Sequence, residues 1–174
     1  MVTLVDLDEK FTSEYSKLLD ECKFTGYEFR VYSTLRTPIE QAILWRQSRT
    51  SEQIKTKVTG LKEAGLTFIA QCIEYVGPQQ GRWATDALPG FSWHNWGEAA
   101  DAFLIGTNNK AIWDSEHAGY KFLADTALQL KLTPGYYFKS RDAVHIQLRE
   151  KSPQNYYSFE DINKIMSDRF AHLL

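Results

Sequence analysis

The strongest constraint on the fold of this chain is an aspartate placed inside an apolar run. Asp101 lies in the middle of residues 99–105, whose other side chains are alanine, phenylalanine, leucine and isoleucine. This pattern predicts a buried strand, and burying an unpaired carboxylate is costly. Hydrogen bonds from nearby backbone groups are one solution, and a bound cation that neutralises the charge is another. The strand therefore has to be built around a partner for Asp101.

Two histidines are candidates for that partnership. His94 comes seven residues before Asp101, across Gly97, and His145 lies in a second short stretch, residues 140–148. Two histidines and one aspartate are a sensible ligand set for a catalytic zinc, which takes three protein ligands and leaves one position for water. Asp142, three residues before His145, is then a spare carboxylate available for proton transfer.

Each of these residues also has a simpler interpretation. A single histidine in an apolar alternation such as residues 144–148 is commonly a hydrogen-bonded core residue rather than a ligand. Asp142 cannot share the face of His145 on a regular strand, so it has to lie in the preceding turn. Glu98 competes with Asp101, because His94 and Glu98 would share one face of a helix. The glycine at position 97 and the strand-like run after it favour Asp101.

Composition bounds the class of protein. The chain has 174 residues, 43% of them apolar and 24% charged, which fits one domain with a hydrophobic core. A net charge of −2 gives no reason to expect nucleic acid or an anionic membrane as a partner. Cys22 and Cys72 share no CxxC spacing and are read as reduced core residues. The first ten residues show no secretory signal, and no apolar span of 18 residues predicts membrane insertion.

Periodicity and capping signals predict an α+β fold, with helices on one side of a small, mainly antiparallel sheet. Thr37, Pro38 and Glu40 predict a capping box where a strand passes into a helix. Other helices are predicted from Phe11 to Cys22, over 51–65, over 68–76, after an N-cap at Ser115 and after an N-cap at Ser158. Strands are predicted over 27–32, 99–105, 111–113, 136–138 and 144–148, with a long loop over 77–93.

Three motifs in this chain resemble those of the zinc D-alanyl-D-alanine carboxypeptidase family. Residues 92–101, SWHNWGEAAD, resemble the family signature Ser-x-His-x-x-Gly-x-Ala-x-Asp. Residues 142–145, DAVH, resemble its second signature, and residues 33–37 followed by 40–41 resemble its upstream arginine motif. The resemblance covers about residues 27–148. The family includes D-Ala-D-Ala dipeptidases, D,D-carboxypeptidases and the L-alanyl-D-glutamate endopeptidases that phages use as lysins.

The resemblance implies roles for individual residues. One zinc ion would be held by His94, Asp101 and His145. Asp142 would be the catalytic acid and base, and Arg36 would stabilise or anchor the substrate. Further substrate contacts are expected from Ser92, Gln41 and Trp93.

The resemblance also implies a fold and an activity. The fold would be a single small α+β domain over residues 1–174, shared with the hedgehog signalling domain. The expected activity is hydrolysis of the stem peptide of bacterial peptidoglycan, by a monomeric L-alanyl-D-glutamate endopeptidase of the endolysin type. Such a protein would stay in the cytoplasm until it is released to the cell wall. The alternatives are a D,D-carboxypeptidase or D-Ala-D-Ala dipeptidase, and a zinc-stabilised wall-binding module without catalysis.

The chain departs from the family pattern in two short places. Residues 135–138 read GYYF where the family often has Gly-Gly-x-Trp, and Gln147 stands where a glutamate is usual. Neither position is expected to touch a presumed metal ligand. Residues 51–91 are also longer than in compact family members, which affects the expected shape of the cleft.

Overall fold

A computed structural model describes residues 3–174. Met1 and Val2 lie outside the described residues; they begin the N-terminal stretch in which the sequence predicts no secretory signal. In the described part the chain forms six α-helices and five short strands. The helices are α1 (Glu9–Phe24), α2 (Pro38–Arg46), α3 (Ser51–Glu63), α4 (Thr67–Tyr75), α5 (Ala118–Gln129) and α6 (Phe159–Phe170). The strands are β1 (Phe29–Ser33), β2 (Ala99–Ile105), β3 (Ala111–Ile112), β4 (Thr133–Pro134) and β5 (His145–Gln147).

All five strands join one antiparallel sheet. The strand order is β1-β2-β5-β4, and β3 pairs with the far end of β2. In this register Asp101 on β2 lies opposite His145 on β5 and opposite Ser33 on β1. The predicted α+β class with an antiparallel sheet is therefore confirmed, and so is the prediction of β2 over residues 99–105.

The chain packs as two compact units. The first, the sheet unit, takes in the residues up to Leu35 and the segment Trp96–Glu150. The second, the helical unit, combines Arg36–Asn95 with Lys151–Leu174. The prediction of a single domain over the whole chain remains a prediction.

Within the sheet unit, α1 and α5 cover one face of the sheet. Apolar side chains of α1 recur every three or four residues, which places Phe11, Tyr15, Leu18 and Cys22 on one buried stripe. They pack with Ala100 of β2, Ile146 of β5 and Leu123 of α5. Because side chains alternate along a strand, the neighbours of Ala100 and Ile146 point to the other face. That other face carries Asp101 and His145.

Within the helical unit, helix ends are set partly by local and partly by distant residues. Thr37 accepts from the backbone N–H of Glu40, and the Glu40 carboxylate accepts from that of Thr37, so the predicted capping box is confirmed. No side chain next to it in sequence caps α4. Instead, Asn163 of α6 accepts from the backbone N–H of Phe68 at 2.9 Å, which ties α6 to the start of α4.

Two of the predicted local features are wrong. Residues 136–138 form no strand, because Gly135–Tyr137 is a 3-10 helix and only Thr133–Pro134 pairs with the sheet. The N-cap of α5 is His117 rather than Ser115, and its imidazole Nδ1 accepts from the backbone N–H of Gly119 at 3.1 Å. Sequence rules favour Ser, Thr, Asp and Asn at this position, so they pass over a histidine.

The prediction for the two cysteines is confirmed. Cys22 and Cys72 are buried free thiols, and burial raises the pKa of each to about 12. Both are therefore core residues rather than reactive thiolates at neutral pH. Across residues 3–174, moreover, every helix falls short of the length and apolar character needed to cross a bilayer.

Candidate metal centre

The centre of the sheet unit is a contact between Asp101 and His145. The two residues face each other across the β2–β5 ladder, and Asp101 Oδ1 lies 3.0 Å from His145 Nδ1. Both side chains are about nine-tenths buried. The partner that Asp101 requires is therefore an imidazole, which can carry either a proton or a metal ion.

The second nitrogen of His145 is also held in place. Its Nε2 lies 3.0 Å from Oε1 of Gln147, which sits two residues further along β5 on the same face. The amide of Gln147 is itself oriented, since its Nε2 donates to the backbone carbonyl of Arg149 at 2.6 Å. The expectation that position 147 touches no presumed ligand is therefore wrong. An outer partner that orients the ring of a ligating histidine is the usual arrangement around protein metals.

His94 lies on a short 3-10 helix, Trp93–Trp96, and is buried. Neighbouring residues of the helical unit fix this helix. The backbone N–H of Arg36 donates to the carbonyl of His94 at 3.1 Å, and the Asn95 side chain donates to the carbonyl of Arg36 at 2.7 Å. The Asn95 amide oxygen also accepts from the N–H of Gly90 at 2.8 Å. The backbone that carries the imidazole of His94 is thus held by hydrogen bonds to Arg36 and around Asn95.

His94, Asp101 and His145 form one group of potential metal ligands. Each offers one ligand atom, and the three atoms lie within 4.8 Å of one another. With bond lengths near 2.0–2.2 Å, two ligand atoms on the same zinc are separated by about 3 to 4 Å. Two imidazole nitrogens and a carboxylate oxygen match the donor set of a zinc site with an open position. The residues present therefore fit the single zinc ion that the sequence predicts.

The electrostatics of His145 reflect the charge of Asp101. Burial alone would lower the pKa of His145, because it disfavours the charged imidazolium. The hydrogen bond and negative charge of Asp101, with a further contribution from Asp142, outweigh burial and raise the pKa above the ordinary 6.5. The site is therefore arranged to hold positive charge, which a proton or a divalent cation can supply.

Asp142 lies in the turn that leads into β5, as the sequence requires. Its backbone N–H donates to the carbonyl of Gly135 at 2.9 Å, and its own carbonyl accepts from the N–H of His145 at 3.2 Å. A Cβ at position 135 would come within 2.5 Å of the Asp142 carbonyl oxygen, so this close approach requires glycine. The Asp142 residue itself is exposed, next to a buried ligand of the group.

The other predicted site residues lie in the helical unit. Gln41 is fully buried, accepts from Nη1 of Arg36 at 2.9 Å and donates to the carbonyl of Ala87 at 2.8 Å. It therefore orients the guanidinium of Arg36. Trp93 is only 2% exposed, and its indole N–H donates to the carbonyl of Lys151. Ser92 is half-buried and accepts from the N–H of Asn95 through its carbonyl. The roles predicted for Arg36, Gln41, Ser92, Trp93 and Asp142 in binding and catalysis remain predictions.

Glu98, the alternative to Asp101 as a metal ligand, is bound to Arg149. Its carboxylate receives both Nε and Nη2 of Arg149, the latter at 2.9 Å. A two-point contact with guanidinium satisfies both oxygens of a carboxylate. No sequence motif indicates Arg149 as this partner. It lies two residues beyond the end of β5, next to Glu98 at the start of β2.

An antiparallel sheet with a group of two histidines and one aspartate is the arrangement of a metal-binding protein, and this donor set is typical of catalytic zinc sites. The family model for VanY, D-alanyl-D-alanine carboxypeptidase, matches residues 5–148. The chain belongs to this family. The predicted family is thereby confirmed, and with it the prediction of a peptidase.

Solved structures of similar proteins carry related descriptions. One is a vancomycin-resistance D,D-pentapeptidase VanY mutant from a VanB-type cassette, in complex with Zn(II). Its sequence is 21% identical to this one, and the match covers 92% of this chain and 78% of that chain with a TM-score of 0.47. A second is the L,D-carboxypeptidase DacB from Streptococcus pneumonia, at 18% identity, 94% and 72% coverage and a TM-score of 0.46. Among curated proteins, none matches the sequence.

Proposed function

We propose that this chain is a zinc-dependent peptidase that hydrolyses the stem peptide of bacterial peptidoglycan, and that it cuts the L-alanyl-D-glutamate bond. The observation that carries the zinc peptidase activity is the group formed by His94, Asp101 and His145 in a chain of the VanY family, while the choice of bond is the expectation from the sequence. The resemblance of residues 92–101 and 142–145 to the family signatures implies the same three ligands. The solved VanY mutant described above is a complex with Zn(II), which supports zinc as the metal.

In this proposal a zinc ion held by His94, Asp101 and His145 would supply a Lewis acid that makes water a nucleophile near neutral pH. Asp142 takes the proton of the attacking water and passes it to the departing amine. Its position is compatible with this role, because Asp142 is exposed to solvent while its backbone is hydrogen-bonded to His145 and Gly135. His145 keeps its ring orientation through Gln147.

Arg36 supplies positive charge to the substrate in one of two ways. It stabilises the oxyanion that develops at the scissile carbonyl, or it binds a free carboxylate of the stem peptide. Its guanidinium is held at 2.9 Å by a fully buried glutamine, Gln41, so its direction is fixed before substrate arrives. Such preorganisation avoids ordering a flexible side chain during the reaction.

Replacing Asp142 with alanine tests the proposed mechanism. The variant should keep about one zinc per chain and lose turnover by about 100-fold or more, since general acid–base catalysis contributes that much. Asp20→Ala, an exposed aspartate on α1, is the matched control and should keep full activity. Wall lysis by the Asp142 variant at the wild-type rate would remove Asp142 from the mechanism. Zinc binding without turnover in the wild type would instead favour the wall-binding module.

A second candidate is a D,D-carboxypeptidase, which the description of the matching family favours. The two activities differ in their products. Digestion of a defined disaccharide pentapeptide, followed by mass spectrometry, should release the sugar with L-alanine attached if the L-alanyl-D-glutamate bond is cut. Release of free D-alanine alone would reject the endopeptidase and establish the carboxypeptidase.

A further inference from the structure

Three aromatic rings form an exposed cluster on the sheet unit, which we call the aromatic platform: Tyr32, Phe103 and Trp113. The Phe103 and Trp113 ring centroids are 5.2 Å apart, and Tyr32 lies 6.0 Å from Phe103 and 5.6 Å from Trp113. Trp113 is 59% exposed and Tyr32 is 40% exposed. Large aromatic side chains that pack on one another and still face solvent are characteristic of binding surfaces.

The platform lies on the same sheet face as the metal ligands. Phe103 follows Asp101 by two residues on β2, and residues two apart on a strand point to the same face. The two Cα atoms are therefore separated by about 7 Å. Trp113 lies directly after β3, which pairs with β2 through Leu104 and Ile112. The platform thus lies on the face of the sheet that carries Asp101 and His145.

We propose that the aromatic platform binds a sugar ring of the glycan strand, the muramoyl residue that carries the stem peptide. A pyranose ring has an apolar face of C–H groups and a rim of polar hydroxyls. The platform offers the matching surface: aromatic rings at its centre and, at its edge, Arg30, whose guanidinium lies 6.0 Å from the Phe103 ring and donates to Asn109 at 3.1 Å. Carboxylates of a stem peptide would instead call for several free cations at this place.

The length of stem between the scissile bond and the sugar differs between the two readings of the proposed function. This step rests on the proposed function, because it takes the scissile bond to lie at the metal group. In the L-alanyl-D-glutamate reading, a single alanine of about 3.5 Å separates the scissile bond from the lactyl group of the sugar. In the carboxypeptidase reading, four residues and roughly 14 Å separate them. A sugar bound to a platform that starts beside Asp101 on β2 therefore requires a short stem between the sugar and the scissile bond, as in the L-alanyl-D-glutamate reading.

The test compares two substrates on two variants. Trp113→Ala should lower kcat/KM for a muramoyl stem peptide by about three- to tenfold, the range expected for losing an aromatic contact. It should leave kcat/KM for the same peptide with an N-acetyl group in place of the sugar unchanged. Phe24→Ala, a substitution of an 89% exposed aromatic residue of α1, should change neither value. Trp113→Tyr should restore most of the preference for the sugar-bearing substrate.

A binding measurement separates this inference from the proposed function. Calorimetric titration of the zinc-loaded protein with muramoyl-L-alanine should give a Kd about three- to tenfold higher for Trp113→Ala than for the wild type or Phe24→Ala. This result would support the platform even if neither substrate were cleaved, which would reject the proposed function alone. Equal Kd values, absence of binding to the wild type, or an equal loss on both substrates would overturn the platform as a sugar site.

Discussion

Two buried carboxylates of the sheet unit, only three residues apart in sequence, have different kinds of partner. Glu98 is bound by the guanidinium of Arg149, and Asp101 faces the imidazole of His145. A guanidinium keeps its proton at all ordinary pH values, so Glu98 has a permanent partner. An imidazole loses its proton near neutrality and can then bind a metal. The comparison shows that the choice of cationic partner, rather than burial, decides which carboxylate is available as a metal ligand.

The largest expected effect comes from exchanging each carboxylate for its amide. Asp101→Asn should weaken zinc binding by more than about 100-fold, since a first ligand matters more than the outer partners that contribute 10–100-fold. Glu98→Gln should keep about one zinc per chain, because Glu98 is bound to Arg149. Metal analysis after dialysis measures both. If Asp101→Asn kept its zinc, or if only Glu98→Gln lost it, then Asp101 would not be the carboxylate ligand.

The next effect concerns the residue that orients His145. Gln147→Ala should lower zinc affinity by about 10- to 100-fold, because the Nε2 of His145 loses its partner at 3.0 Å. Gln147→Glu should bind zinc at least as well as the wild type, since a carboxylate accepts from the same N–H more strongly. Competition with a chelator of known affinity gives both values. An alanine variant with wild-type affinity would show that the contact has no influence on the metal.

The Glu98–Arg149 pair should matter for stability rather than for metal. Glu98 is 8% exposed and Arg149 is 34% exposed, so Glu98→Ala should cost about 1–3 kcal/mol in the free energy of unfolding, less than a fully buried pair. Urea unfolding of the zinc-loaded protein measures this. The exposed pair of Glu116 with Arg141 is the control, and Glu116→Ala should cost less than about 1 kcal/mol. Equal losses in both variants would mean that burial of Glu98 contributes nothing.

The smallest expected effect concerns pH. As pH rises, the stability of the metal-free protein and its affinity for zinc should change in opposite directions. Because the pKa of His145 is raised in the fold, its protonated form stabilises the metal-free protein at low pH, and this contribution is lost as pH rises through the raised pKa. Zinc competes with that proton, so zinc affinity should rise over the same interval, which lies above an ordinary imidazole pKa of 6.5. Urea unfolding of chelator-treated protein and zinc titrations across this range should show the two opposite trends. If unfolding free energy and zinc affinity both rose with pH, His145 would not be the group that binds the proton.

Much of the local structure follows from neighbouring residues and could be predicted. The capping box at Thr37 and Glu40 is closed within four residues, and α1 follows from a single apolar stripe. By contrast, Gly135–Tyr137 turns where alternation suggested a strand, because the Asp142 backbone bonds to the Gly135 carbonyl. The cap of α4 by Asn163 joins residues 95 positions apart, and no local pattern indicates it.

By itself, the sequence determined the chemical types at the centre, two imidazoles and a carboxylate in a family order, together with the strand that has to bury Asp101. The contact between Gln147 and His145 also follows from the sequence, because the two residues are two apart and a strand places such residues on one face. Tertiary packing is what brings Arg149 to Glu98 and gathers Tyr32, Phe103 and Trp113 near Asp101 on the sheet. The physical reason is that side-chain charge and strand period are local properties, whereas strand register is set by the packing of the whole sheet.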